Sequence, residues 1–144
     1  MIFSHDRYQL RKLFIDSWNK FLNKQPLTAI EEQISRIIEL HPEYHKQITI
    51  ENIDKDYSPE MGQINPFLHI SLHLAIIEQV QTNRPIGINT TYHQLLSKYN
   101  NDEHKVHHLM IDYLAEEMWL SQKYNTLPDE QNYLTKLQEL ALRQ

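Results

Sequence analysis

The chain has 144 residues, of which 40% are hydrophobic and 23% charged, a balance typical of one soluble globular domain. Its net charge of −5 argues against general nucleic-acid binding, and no apolar run approaches the roughly 20 residues that a membrane-spanning helix needs. The absence of cysteine excludes disulfides and thiolate metal ligands and favours a cytoplasmic location. With only two glycines for tight turns, the composition favours helices over strands.

Two amphipathic helices are predicted in the first part of the chain. The first runs from about Asp6 to Asn23, and its basic side chains are expected in solvent. Its apolar face comprises Leu10, Leu13, Phe14, Ser17, Trp18, Phe21 and Leu22, and the basic residues are Arg7, Arg11, Lys12, Lys20 and Lys24. Thr28 and Glu31 form a capping box that starts the second helix. Its apolar stripe holds Ile30, Ile34, Ile37 and Ile38, and His41 continues it.

Pro42 ends this second helix and makes residues 41–45 a corner that carries His41 and His45. A short helix is predicted from Glu43 to Gln47, followed by a long connection over residues 49–64. The two corner histidines are interpreted either as extra metal ligands or as hydrogen-bonded corner residues.

The third helix begins at Asn65, which caps it, with Pro66 at the first helical position, and it ends near Thr82. His69 and His73 lie four residues apart, in the middle of an apolar stripe. A buried, unpaired polar group costs about 1–3 kcal/mol, so each imidazole needs a partner: a carboxylate, a carbonyl, a water or a metal.

Three further helices complete the predicted bundle. Asn89, Thr90 or Thr91 is expected to cap a short fourth helix, and Pro128 and Asp129 start the sixth. The fifth spans residues 102–124, with Trp119 expected in the core and His104 and His108 forming a second pair at four-residue spacing. The sequence therefore predicts an all-α fold, a compact bundle of five to six helices in one domain over residues 1–144.

The histidine pairs predict a metal site between helices 66–82 and 102–124. Residues four apart share one helix face, so packing the two helices together would gather His69, His73, His104 and His108 around one ion. Imidazole suits zinc, iron or nickel. Because neither pair has a glutamate at the spacing of dinuclear bundles, a mononuclear site is preferred. Asp112, one turn after His108, is the candidate to orient that ligand.

Several segments resemble the bacterial family labelled domain of unknown function 1841. They are the corner His41–His45, the loop Asp56–Gly62, the stretch from Asn65 through His69 and His73 to Gln79, and the segment from His104 to Trp119. The resemblance covers nearly the whole chain and implies kinship without a reaction. The histidine arrangement is also similar, as architecture alone, to small metal-binding helical bundles of the DinB type.

Three functions are open at this point. A metal-dependent hydrolase or transferase would use three histidines and an open ligand position, whereas four closing histidines favour structure or storage. The alternative is a non-enzymatic interaction module, which could form a homodimer, with buried histidines that hydrogen-bond in the core. A pH-responsive protein is a third idea, because buried neutral histidines must take up a proton as the pH falls, which would destabilise the fold below about pH 6. No nucleic-acid or membrane partner is expected, and a small-molecule or protein partner is not specified.

Overall fold

The computed structural model describes residues 4–58 and 61–143, with side chains from Asp6 onward. Within these residues the backbone forms helices and no strand, which confirms the all-α prediction. The six α-helices are α1 (Ser4–Leu22), α2 (Ala29–Glu39), α3 (Pro66–Thr82), α4 (Ile88–Lys98), α5 (Glu103–Lys123) and α6 (Glu130–Leu142). Two short 3₁₀ helices span Pro42–Tyr44 and Ile50–Asn52. Pro59 and Glu60, in the loop that carries part of the family resemblance, lie outside the described residues.

The chain divides into two compact units, Met1–Leu74 and Ala75–Gln144, with the division inside α3. The single domain over residues 1–144 stays a prediction. No helix in the described ranges combines the length and apolar character needed to cross a membrane.

In the first unit, α1 packs against α2, and the predicted capping box is present. Thr28 Oγ1 accepts a hydrogen bond from the Glu31 amide at 3.3 Å, and the Glu31 carboxylate accepts one from the Thr28 amide at 2.8 Å. Lys20 Nζ donates to the same carboxylate at 2.7 Å, which ties the end of α1 to the start of α2. The hydrogen bond from Lys20 is the main cause that lowers the pKa of Glu31 to about 2, and the hydrogen bond from the Thr28 amide is the second.

Arg11 was predicted to face solvent, and that prediction is wrong. Its side chain is buried, and Nη1 donates to the carbonyl oxygens of Ile53 at 3.1 Å and Lys55 at 2.7 Å. The guanidinium carbon lies 4.7 Å from the centroid of the Phe67 ring. The turn around residues 53–55 has carbonyls that need a donor, and a guanidinium on α1 supplies it.

Other face assignments also need correction. Leu10, Leu22 and Ile30 were placed on apolar faces but are exposed; Leu22 is the last residue of α1 and Ile30 lies in the first turn of α2. Trp119 was expected in the core but is 57% exposed, and Lys123 Nζ lies 4.9 Å above its ring. The Lys123 ammonium covers part of the exposed indole face and makes a cation–π contact with it.

The corner after α2 is tighter than predicted. Instead of a helix from Glu43 to Gln47, the chain forms the 3₁₀ helix Pro42–Tyr44. Pro42 has no amide hydrogen to continue an α-helical ladder, and the Tyr44 amide closes a three-residue turn on the His41 carbonyl at 2.9 Å. This turn places the side chains of His41 and Tyr44 on the same side of the corner.

In the second unit, α6 packs against α4 and α5. Asp102 and Asp129 cap α5 and α6, each accepting a hydrogen bond from the amide three residues later, and Asp129 lies at the predicted start of α6. The predicted side-chain cap of α4 is wrong: Gly87 occupies the cap position with a φ of 103°, and no side chain at that position bonds to the helix. The Asn83 side-chain oxygen instead accepts from the amides of Gly87 and Asn89, both at 3.1 Å.

Candidate metal centre

Three imidazoles converge in the first unit. His69 and His73, one turn apart on α3, have their Nε2 atoms 3.1 Å from each other. His41, from the corner after α2, places its Nε2 atom 3.2 Å from that of His69. One ring nitrogen from each of the three residues lies within 4.8 Å of the other two.

α3 supplies two of these side chains, and its start is fixed by a side-chain cap. The Asn65 side chain accepts a hydrogen bond from the Leu68 amide at 3.1 Å, which confirms the predicted cap. The four-residue spacing then puts both imidazoles on one face, with ring centroids 4.7 Å apart. His73 is buried and His69 is half-buried, so the pair lies at the edge of the core.

His41 is held in a defined orientation by the helix that precedes it. Its Nδ1 atom lies 2.6 Å from the carbonyl oxygen of Ile37. A carbonyl oxygen only accepts, so Nδ1 carries the hydrogen and, in the neutral ring, Nε2 keeps its lone pair. Metal-binding histidines show this same arrangement, in which a carbonyl selects the tautomer and orients the ring.

In neutral rings, hydrogen bonding can satisfy only one of the two contacts among the three Nε2 atoms. Each such nitrogen offers either one N–H or one lone pair. His69 Nε2 lies near two other Nε2 atoms, those of His41 and His73, and one N–H cannot point at both. A cation placed among the three nitrogens would accept all three lone pairs at once.

A tyrosine ring lies beside two of the three imidazoles. Tyr44 lies against two of the imidazoles: its ring is parallel to that of His41, with an interplanar angle of 6°, and edge-on to that of His69. Cysteine is absent, and the group formed by these three residues contains no carboxylate. Imidazole is therefore the ligand type that these three residues supply.

His45, the other corner histidine, is placed differently. Its Nε2–H donates to the carbonyl oxygen of Ile38 at 2.8 Å. Its ring also lies against Trp18, with centroids 4.6 Å apart. This is the hydrogen-bonded corner that the sequence analysis considered for both residues, and only His41 directs a nitrogen toward the pair on α3.

The second histidine pair lies on α5, in the second unit. The rings of His104 and His108 have centroids 4.1 Å apart, so their spacing places them on one helix face as expected. His104 is exposed, His108 is half-buried and Asp112 is exposed. Whether this pair shares an ion with the pair on α3, and whether Asp112 orients His108, stay predictions.

Tyr44 was not among the candidate site residues predicted from the sequence. The available signal was its position three residues after His41 and two after Pro42, where a 3₁₀ turn brings the side chains of His41 and Tyr44 to the same side.

A family model described as "Domain of unknown function (DUF1841)" matches residues 6–139. Neither a curated protein nor a solved structure matches the chain.

Proposed function

The chain belongs to the DUF1841 family, and we propose that His41, His69 and His73 bind a single transition-metal ion. The observation that carries this proposal is the spacing of their nitrogens. Around a tetrahedral ion with metal–nitrogen bonds of about 2.0–2.1 Å, neighbouring ligand nitrogens are separated by roughly 3.3 Å. The two measured Nε2–Nε2 distances, 3.1 and 3.2 Å, are close to this value.

Zinc, iron and nickel are the candidate ions, because imidazole nitrogen is a good ligand for each. Three imidazole ligands without a carboxylate would leave the ion with its full positive charge and would leave a fourth position for water. Such an ion lowers the pKa of bound water to about 7, the chemistry of metal-dependent hydrolases. We therefore propose hydrolysis or a related group transfer as the reaction class.

The predicted contribution of α5 decides between an open and a closed site. If neither His104 nor His108 binds the ion, the site has three protein ligands and fits a catalytic role. If one of them is a fourth ligand, the closed shell fits a structural or storage role better. His104→Ala and His108→Ala distinguish the open site from the closed site, because metal binding weakens only if the replaced histidine is a ligand.

The primary test uses protein made without a histidine tag, stripped of metal and dialysed against zinc, iron(II) or nickel. Elemental analysis should find one ion per chain, and His41→Ala, His69→Ala and His73→Ala should each reduce this strongly. His93→Ala is the matched control, since His93 is an exposed histidine on α4. Wild-type protein that stays metal-free with all three ions would refute the proposal and favour the interaction module.

We further propose that the protein acts in the cytoplasm. We propose, second, that it has no nucleic-acid or membrane partner and, third, that it assembles as a homodimer. The acidic balance and the lack of cysteine support the first two points. Sedimentation of the purified chain tests the third, because a strictly monomeric protein would exclude it.

A further inference from the structure

We infer that Tyr44 is a positioning residue of the proposed metal centre, whose ring orients the imidazoles of His41 and His69. The inference rests on the proposed function, since it assigns a role to the wall of the same site.

The contacts of Tyr44 are specific to two of the three proposed ligands. Its ring centroid lies 5.3 Å from that of His41, in parallel planes, and 5.6 Å from that of His69, at an interplanar angle of 70°. These are the offset-stacked and edge-to-face arrangements that aromatic rings prefer at about 4.5–7 Å. The side chain is only 8% exposed, so its neighbours restrict its own movement.

The corner itself explains this contact. The Tyr44 amide donates to the His41 carbonyl at 2.9 Å, which closes a turn with three-residue periodicity. In 3₁₀ geometry, side chains three residues apart eclipse each other. The parallel rings of His41 and Tyr44 are therefore a local consequence of the turn that Pro42 enforces, and His69 reaches Tyr44 from α3.

Ring orientation matters because an imidazole binds metal only along the direction of its lone pair. For His41, the hydrogen bond from Nδ1 to the Ile37 carbonyl fixes the position of that ring nitrogen. Stacking against Tyr44 fixes the plane, so that together they determine where Nε2 points. The edge contact with His69 limits the tilt of that ring in the same way.

The hydroxyl is not needed for this role. The contacts with His41 and His69 are made by the aromatic ring, which a phenylalanine would also supply. A phenylalanine at this position should therefore preserve the function of the site, and an aliphatic side chain should not.

The experiment compares Tyr44→Phe and Tyr44→Leu with wild type. Cobalt(II) and zinc affinities are measured by competition with a chromophoric chelator, and the visible absorption of bound cobalt reports ligand geometry. We expect Y44F to bind within about twofold of wild type. Y44L should bind at least about tenfold more weakly, as for other changes in groups that orient metal ligands, with an altered cobalt spectrum. Tyr92→Leu is the control, because Tyr92 is a similarly buried tyrosine on α4 at 7% exposure.

The possible outcomes separate this inference from the proposed function. A wild-type chain that binds no cobalt or zinc refutes the metal site itself. If wild type binds metal and Y44L matches it in affinity and spectrum, the positioning role is wrong. A Y44F variant as impaired as Y44L would also overturn it, because the hydroxyl and not the ring would then be responsible. Circular dichroism checks folding, and Tyr44→Met replaces Y44L under the same criteria if the leucine variant unfolds.

Discussion

Replacing Arg11 by methionine should lower the free energy of unfolding by about 3 kcal/mol. Its guanidinium donates to two backbone carbonyls, Ile53 and Lys55, and lies 4.7 Å from the Phe67 ring centroid. Each carbonyl left without a buried donor costs about 1–3 kcal/mol, and the lost cation–π contact costs about 1–2 kcal/mol. Methionine recovers part of this total because it packs well in irregular apolar space and removes the cost of burying a charge.

The assay is urea denaturation followed by circular dichroism and tryptophan fluorescence. For a chain of this size, a loss of about 3 kcal/mol corresponds to a fall in melting temperature of roughly 10 °C. Lys12→Met is the matched control: its neighbouring position on α1 is half-exposed, and its ion pair with Asp16 is a surface pair expected to contribute less than about 1 kcal/mol. If Arg11→Met and Lys12→Met lose the same small amount of stability, the argument that a buried guanidinium supports the 53–55 turn is refuted.

Three further predictions follow from the structure. Because the pKa of Glu31 is held at about 2, below its ordinary 4.5, the stability it contributes is present above pH 4.5 and lost as the pH falls from 4.5 to 2. The stability difference between wild type and Glu31→Gln should therefore shrink over that range in acid denaturation, and a constant difference would contradict the assigned ion pair with Lys20. Gly87→Ala should destabilise the protein by at least about 1 kcal/mol in urea titrations, because φ is 103° there; an unchanged midpoint would show that the turn relaxes without strain. Zinc at about one hundred times its dissociation constant should stabilise wild type by about 2.7 kcal/mol, read as a rise in melting temperature. The same zinc should leave His73→Ala unchanged, and an equal rise in both proteins would place the ion elsewhere.

The helices of this protein could be predicted because their signals are local. The Asn65–Pro66 start of α3, the Thr28–Glu31 box of α2 and the Asp129 cap of α6 each depend on residues within one turn of one another. The pairing of His69 with His73 is equally local, since four-residue spacing on a helix places two rings on one face.

What the sequence left open are the contacts between residues far apart in the chain. His41 was one of several candidate ligands until the turn at Pro42 brought it to His69, 28 residues away. Arg11 was predicted to face solvent because the sequence of its own helix carries no information about the carbonyl groups 42 and 44 residues further along the chain.

The sequence by itself determined that the chain is helical, where most helices begin, and which histidines share a helix face. The tertiary structure decided which side chains from different elements meet: Arg11 with the 53–55 turn, and His41 with the α3 pair and Tyr44. The physical reason is that capping and helical periodicity act over one turn, whereas burial and the pairing of buried polar groups depend on how separate elements pack.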